Sequence, residues 1–572
     1  MTGSPRPGGT WRRRAGVVAV VVVATVVMTW PFVSYRAFGH AQYLGDMRLV
    51  VWALAWDNHA VLEGLPLFRA NMFHPAPDSL RYGEHFFGLS LATLPLAAAG
   101  VSPVVAHNVV WWLSFPLNAL AAYAWVRRYV DDRQAALLGA LAFAFSFFVM
   151  LHAHAHLQLT WLWGLPGSLL LLERWFDRPT WMRAAAWAAV LTLQVLTSWY
   201  LAVIALVANG LPALVLLAWP HADDNGTPAP APSAPSLPAA GLHAWWRRLG
   251  QMTVASLAMA AAIWPFARHY VGLSGASQAA AFSATVSSYL VPPVNTLVGR
   301  WWPETPGAPP RWLWGEQTLF SGWTVLALAA VGAWTILRRG RAAGRAWVLP
   351  LLTVAGLLLS LGPTPPLPGG TVVAPYAWLS LLPGVGGMRA PARFAVLVTL
   401  GLAALAAMGA ARLTRAGPRA GRALVAAAVP LMLAEWFVVD FPGGRPEPLP
   451  IPGIYASDEV RSARALLSLP DYYGTPEWYL DADYLYYSTA HWRPVVNGFG
   501  REAPPGHADL VRIAAAFPAS AGTLRDLGVD LVIVHADRYP ARALAPIAAA
   551  DASPRVRLVR REGDAYLYEL LP

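Results

Sequence analysis

Apolar runs of about 17 residues or more recur throughout residues 1–440, at 15–32, 104–126, 134–151, 157–173, 184–200, 201–219, 251–267, 321–337, 346–362, 394–411 and 422–439. At 1.5 Å per residue, each is within reach of a ~30 Å hydrocarbon core. Lipid offers no partner for backbone N–H and C=O groups, so such runs must cross as helices. The pattern predicts an all-α polytopic membrane protein of about 11 transmembrane helices. Only 13% of the chain is charged and the mean hydropathy is +0.43, whereas soluble domains are about one-quarter charged. An ordinary soluble enzyme is thereby excluded. The runs 184–200 and 201–219 share no polar loop, so a tight turn is expected near Thr197–Tyr200.

The 42 basic residues are all Arg, and the chain has no Cys. A disulfide framework, a Cys metal site and a thiol nucleophile are therefore ruled out. The net charge of +11 divides into +14 on residues 1–440 and −3 on 441–572. No basic stripe with interleaved aromatics occurs in 441–572, so nucleic acid is not an expected partner. Instead the arginines mark topology. Arg12–Arg14 precede the first run, and arginine clusters follow every even-numbered run: Arg127, Arg128 and Arg133; Arg174, Arg178 and Arg183; Arg247 and Arg248; Arg338, Arg339, Arg341 and Arg345; Arg412, Arg415, Arg419 and Arg422. By the positive-inside rule the N-terminus is cytoplasmic, and segments 33–103, 268–320, 363–393 and 440–572 lie outside.

Residues 1–439 thus read as a membrane domain, with 33–103 its first outer loop. Residues 220–249 read as a cytoplasmic linker around the Pro/Ala/Ser-rich stretch His221–Gly241. Residues 440–572 read as a small extracytoplasmic α/β domain. Leu527–Val534 has the pattern of a helix end, a glycine turn and a buried strand. Val556–Val559 and Ala565–Leu570 form the arms of an expected hairpin, turning at Glu562–Asp564.

The first outer loop holds the densest polar chemistry. Trp52, Trp56 and their apolar neighbours recur at helical spacing, so 47–62 is expected to be an amphipathic interfacial helix. Asp57, His59 and Glu63 would form its solvated face. Asp46 precedes it, and its carboxylate could serve as a general base, help hold a metal, or cap the helix. Glu84–His85 offers a second acid, a metal ligand or a phosphate contact, or else a plain interfacial polar pair. In His152–His156 the histidines alternate. A strand would align all three for metal, whereas the expected helical end aligns His152 with His156 and turns His154 elsewhere. Arg389 and Arg393 lie outside and break the positive-inside trend. Their planar forks suit phosphate, and snorkelling is the alternative. Arg268, His269 and Arg300 are weaker candidates for that contact. Tyr289, Pro292, Pro293, Trp301, Trp302, Trp312 and Trp314 read as an interfacial anchor. His491, Trp492, Arg493 and Asn497 read as local folding of the outer domain.

The order of these phrases is itself informative. A Gly-Asp pair after the first run, the phrase GLPLFRANMFHPAPDSL, the Glu84–His85 pair, SYLVPPVNTLVG, LPGVGGMRAPARF and YYSTAHWRPVVNGFG together resemble the GT-C glycosyltransferases. These polytopic enzymes take sugar from a polyprenyl-phosphate carrier, and the likeness is strongest to a bacterial group of that type. The resemblance implies that Asp46, the acidic residue after the first span, is catalytic. It implies transfer with inversion on the outer face of the bacterial cytoplasmic membrane, to a glycan, lipid or protein acceptor. Glu84, His85, Arg389, Arg393 and His156 are carried forward as substrate contacts. A divalent cation is left open as cofactor. The alternative is a transporter or flippase of a lipid-linked glycan, and a third reading is a membrane scaffold.

Overall fold

The computed structural model describes residues 8–30, 40–41, 45–218, 239–271, 279–302, 315–367, 370–382, 385–386, 388–439, 447–500, 502–539 and 545–572. Trp312, Trp314 and residues 221–238 of the expected linker lie outside the described residues. The chain is mostly helical, with a small sheet. It divides into two compact units: residues 1–34 with 111–442, and residues 35–110 with 443–572. After the positions expected from the sequence, they are termed the membrane unit and the outer unit.

Each expected apolar run contains a helix. These are α1 (Gly8–Met28), α4 (Pro103–Val126), α5 (Arg133–Ala144) with α6 (Phe147–His152), α7 (Leu157–Thr160) with α8 (Gly164–Asp177), α9 (Trp181–Val195), α10 (Trp199–Ala218), α11 (Ala239–Ala267), α12 (Trp323–Arg339), α13 (Val348–Ser360), α15 (Ala395–Ala416) and α16 (Pro418–Trp436). The outer unit contributes α2 (Gly45–Glu63) and α3 (Phe87–Ala98), and a short α14 (Pro375–Leu379) precedes α15. Among the described residues, six stretches are long and apolar enough to cross a membrane: Pro103–Val126, Arg133–His152, Trp199–Leu217, Trp245–Tyr270, Trp323–Ser360 and Pro391–Ala416.

Two expected spans are broken. α5 ends at Ala144, and Ser146 caps α6, its hydroxyl accepting from Val149 N at 3.4 Å. Trp161–Trp163 separates α7 from α8. The tight turn between α9 and α10 falls at 196–198. In the membrane unit α15 packs against α5, α12, α13 and α16. Its Ala- and Gly-rich sequence allows backbones to approach, as at small-residue helix contacts in membranes. A Cβ on Gly409 would lie 1.9 Å from the Leu328 carbonyl oxygen of α12, and one on Gly332 would lie 2.0 Å from that of Leu405. Neither position can take a larger residue without the helices parting.

In the outer unit a four-stranded sheet has the order β5-β6-β8-β7 (Leu466–Leu469, Leu531–His535, Ala565–Leu570, Val556–Glu562). The pair β5–β6 is parallel and the other two pairs are antiparallel. Gly528 (φ +87°) turns the chain into the fully buried β6. Gly563 (φ +57°) opens the two-residue hairpin turn, where a positive φ favours glycine. Phe517, Leu524, Val532 and Tyr568 share the core, with α19 (His507–Ala515) and α20 (Ala521–Asp526) contributing to its cover.

The first loop is woven into this unit. Phe73 N and His74 N donate to the Asn497 and Val495 carbonyls at 3.1 and 2.9 Å, and Val495 N donates to Asn71 O at 2.8 Å. Asn71 also joins Trp52 Nε1 at 3.2 Å to Ser488 Oγ at 3.0 Å. Helix α2 packs against α3 and α18 (Asp481–Tyr487). It is therefore not the one-sided surface helix expected from its spacing. Trp52, Trp56 and Asp57 are buried, and exposure is confined to its end at 61–63. Asp57 is corrected from the solvated face to the interior, because α3 covers that side and Phe86 N donates to its Oδ2 at 3.2 Å.

Candidate functional site

In the outer unit, α2 begins where Gly45 meets Tyr479. A Cβ on Gly45 would lie 2.6 Å from the Tyr479 carbonyl oxygen, so the helix start is held against that segment. Asp46 follows, half-buried in the first turn. The helix starts earlier than its spacing suggests, so Asp46 lies inside the first turn rather than before it, where the dipole favours a negative charge. Arg48 is buried and forms an ion pair with Asp483 of α18. The other Asp483 oxygen accepts from Arg538 Nη2 at 2.7 Å. Arg538 also reaches the Tyr487 hydroxyl at 3.2 Å and lies 4.9 Å from the Tyr484 ring centre. One buried carboxylate thus joins two guanidinium groups, and the three residues stand far apart in sequence.

Glu84 is half-buried and His85 is buried. His85 Nδ1 accepts from Phe87 N at 3.3 Å, and its ring lies edge-on to Phe68. Asp57 lies deeper. Burial pushes its carboxyl up to about 8, against the downward pull of hydrogen bonds from Phe86 and Ser90. Asn497 and His491 serve local structure. Asn497 Oδ1 accepts from Ser468 N at 2.8 Å, and its Nδ2 donates to Ser468 O at 3.0 Å. His491 Nδ1 accepts from Arg493 N at 2.9 Å.

In the membrane unit, Arg393 is buried at the start of the stretch leading into α15. Its Nε and Nη2 donate to Glu316 Oε1 at 3.0 and 2.6 Å, and its guanidinium lies 4.3 Å from the Tyr200 ring centre. His152 Nε2 is 4.0 Å from Glu316 Oε2, and the His152 and His156 rings are 5.4 Å apart. The run is not the helical end expected: α6 stops at His152 and a turn leads to His156 before α7, so His152 and His156 meet across that turn while His154 is buried. Burial disfavours the charged form of Glu316, but Arg393 and His152 outweigh it and hold the carboxyl down at about 2. Arg389 is not in this group and lies 5.7 Å from the Phe282 ring centre.

The sequence reading did not single out Arg48, Glu316, Asp483 or Arg538. A signal existed for Glu316, which is one of only two acidic residues in the aromatic- and proline-rich segment 268–320. Among the described residues, no group of three or more His, Asp or Glu is placed to hold a metal ion.

This fold is similar to that of solved membrane proteins. The chain aligns with the arabinofuranosyltransferase AftD from mycobacteria at a TM-score of 0.56 and 16% identity, over 98% of its own length. It spans 40% of AftD, so it matches about two-fifths of that protein. The oligosaccharyltransferase of Archaeoglobus fulgidus aligns at a TM-score of 0.49 and 12% identity, covering 91% of this chain and 69% of that one. ArnT from Cupriavidus metallidurans, bound to undecaprenyl phosphate, aligns at 0.48 and 12%, covering 99% and 98%. No protein-family model and no curated protein sequence matches the chain.

Proposed function

We propose that this protein is a membrane glycosyltransferase of the GT-C type. It moves a sugar from a polyprenyl-phosphate carrier to an acceptor hydroxyl on the outer face of the bacterial cytoplasmic membrane. The observation that carries this reading is the fold shared with AftD over nearly the whole chain. The order of motifs in the first outer loop supports it. In this reading about 11 helices span the membrane with the N-terminus inside, and the outer unit is extracytoplasmic.

Asp46 takes the acceptor proton as the acceptor oxygen bonds to the anomeric carbon. The bond from that carbon to the phosphate oxygen breaks on the opposite side, and the polyprenyl phosphate leaves with the electron pair. Arg393 and His156, with Arg389, stabilise the charge growing on the leaving phosphate. Glu316 orients Arg393, because a bidentate contact fixes the plane of a guanidinium. Glu84 and His85 contact the acceptor side.

The test is transfer of radiolabelled sugar from a panel of polyprenyl-phosphate donors to membrane acceptors. Asp46→Asn is expected to lower the rate by about 10²–10⁴-fold, the usual worth of a positioned general base. Unchanged transfer by a well-folded Asp46→Asn protein would sink the assignment.

A further inference from the structure

A cavity of about 200 Å³ opens beside α2, α3 and the start of α4, wholly within the outer unit. It is smaller than the roughly 300–1,000 Å³ of sites that take whole drug-sized ligands, so it suits one ring or substituent. Asn58, His59 and Thr93 line it together with Leu54, Ala97 and Trp492.

Hydrogen bonds fix the chemistry of the wall. Asn58 Nδ2 donates to Thr93 Oγ1 at 2.8 Å, and the Thr93 hydroxyl proton goes to Ser90 O at 3.0 Å. The amide orientation is therefore set, and Asn58 Oδ1 is left as a buried acceptor with no donor among the described residues. Trp492 stands at φ +55°, a backbone conformation unusual for a bulky residue, and its ring stacks on His59 at 4.4 Å and 6°. Such strain persists only where the surroundings hold it, and it gathers at ligand sites.

Three occupants fit poorly. Water could pair Asn58 Oδ1 but would leave the Leu54, Leu62 and Ala97 side of the cavity facing it without a partner. A bare acyl chain would leave Asn58 Oδ1 unpaired. The hydroxyl-rich face of a plain hexose would be stranded on the aliphatic floor. An acetamido group carries an N–H donor and a methyl together. Its sugar ring offers C–H groups to the Trp492–His59 wall.

We propose that this cavity seats the acetamido group of an amino-sugar residue in the acceptor glycan. The inference rests on the glycosyltransferase reading and deepens it. Asn58 lies twelve residues beyond Asp46 on one helix, roughly 18 Å along its axis, so the seated sugar would be several residues from the transfer point.

The experiment uses the full-length protein in detergent and saturation-transfer NMR, without any donor. The probes are methyl β-N-acetylglucosaminide, methyl β-glucoside and n-octanol. Saturation is expected to concentrate on the acetyl methyl of the first probe. Asn58→Leu should weaken binding by about tenfold, the worth of one lost hydrogen bond to a neutral group. Ala97→Trp, at a half-exposed position that tolerates size, should abolish it by filling the space. Equal saturation of the two glycosides, indifference to both variants, or displacement by n-octanol would each overturn the proposal. Asp46→Asn keeps the two readings apart. If it loses transfer while the acetamido probe fails to bind, only the cavity assignment falls. If it keeps transfer while the probe binds, only the catalytic reading falls.

Discussion

At Arg393 in the membrane unit one arginine meets one carboxylate, and at Asp483 in the outer unit one carboxylate meets two arginines. Arg393 and Glu316 cancel, so in the proposed reaction the donor phosphate would share a guanidinium already gripped on two of its nitrogens. Asp483 leaves its partners with a surplus positive charge, but Arg48 and Asp483 are both buried. The comparison separates two uses of the same chemistry. The neutral pair can exchange partners when an anion arrives. The two-to-one bridge holds helix α2 to α18, and it has no exchange that avoids stranding a charge.

Removing Asp483 should therefore cost the most stability. Asp483→Asn leaves two arginines without their anion and is expected to destabilise the protein by about 3–5 kcal/mol, read as a lower melting temperature in detergent. A loss below about 1 kcal/mol would show the bridge to be replaceable.

Arg393 comes next. Arg393→Met should lower transfer by about 10²–10³-fold, and Arg393→Lys should restore little, since lysine lacks the planar fork. Recovery of full activity by Arg393→Lys would reduce the residue to a point charge. Glu316 should stay ionised throughout the working range, because its carboxyl is held at about 2. A pH–rate break assigned to Glu316 near neutrality would contradict that pairing.

Asp57 makes a third, smaller test. Its carboxyl is at about 8 in the fold against 3.8 ordinarily. Between those values the folded state binds more protons than the unfolded one, so stability falls as pH rises from about 4 to about 8. Burial raises Asp471 and Asp481 in the same direction, and the Asp471 carboxylate further raises Asp481. Asp57→Asn should flatten part of this slope and stabilise the protein by about 1–3 kcal/mol at pH 8. An unchanged slope would show that Asp57 is ionised in the fold.

The smallest effect is expected at Arg464, whose pair with Asp530 is 64% exposed on the arginine side. Arg464→Ala should cost less than about 1 kcal/mol, and raised salt should erase the difference.

Apolar length reported where the helices lie, because transfer into lipid depends on side chains that can be read one at a time. It was silent on the breaks at Ser146 and Trp161–Trp163, where the backbone turns within apolar sequence. Gly528 and Gly563 were legible as turns, since a positive φ has a local residue signature. Asp57 misled because its cover comes from α3, a separate element whose packing is not written into α2. Arg48 and Asp483 are 435 positions apart, and Glu316 and Arg393 are 77 apart. Charge pairing across such distances leaves no periodicity. Motif order singled out Asp46 as a candidate, and the breach of the inside rule singled out Arg393. The partners of Arg393 became visible only in three dimensions.

The outer unit is assembled from residues 35–110 and 443–572, with about 330 residues synthesised between them. At roughly 5–20 residues per second, the ribosome needs on the order of 15–65 s to reach the second segment. Throughout that interval Trp52, Trp56 and the segment Asn71–His74 have emerged without the residues that will bury and pair them. On the proposed topology the nascent chain therefore passes through a long sticky stage on the far side of the membrane. A holding chaperone there, or the lipid surface itself, would govern the yield of active protein, and a stop codon late in the gene would waste the first loop as surely as the last strand.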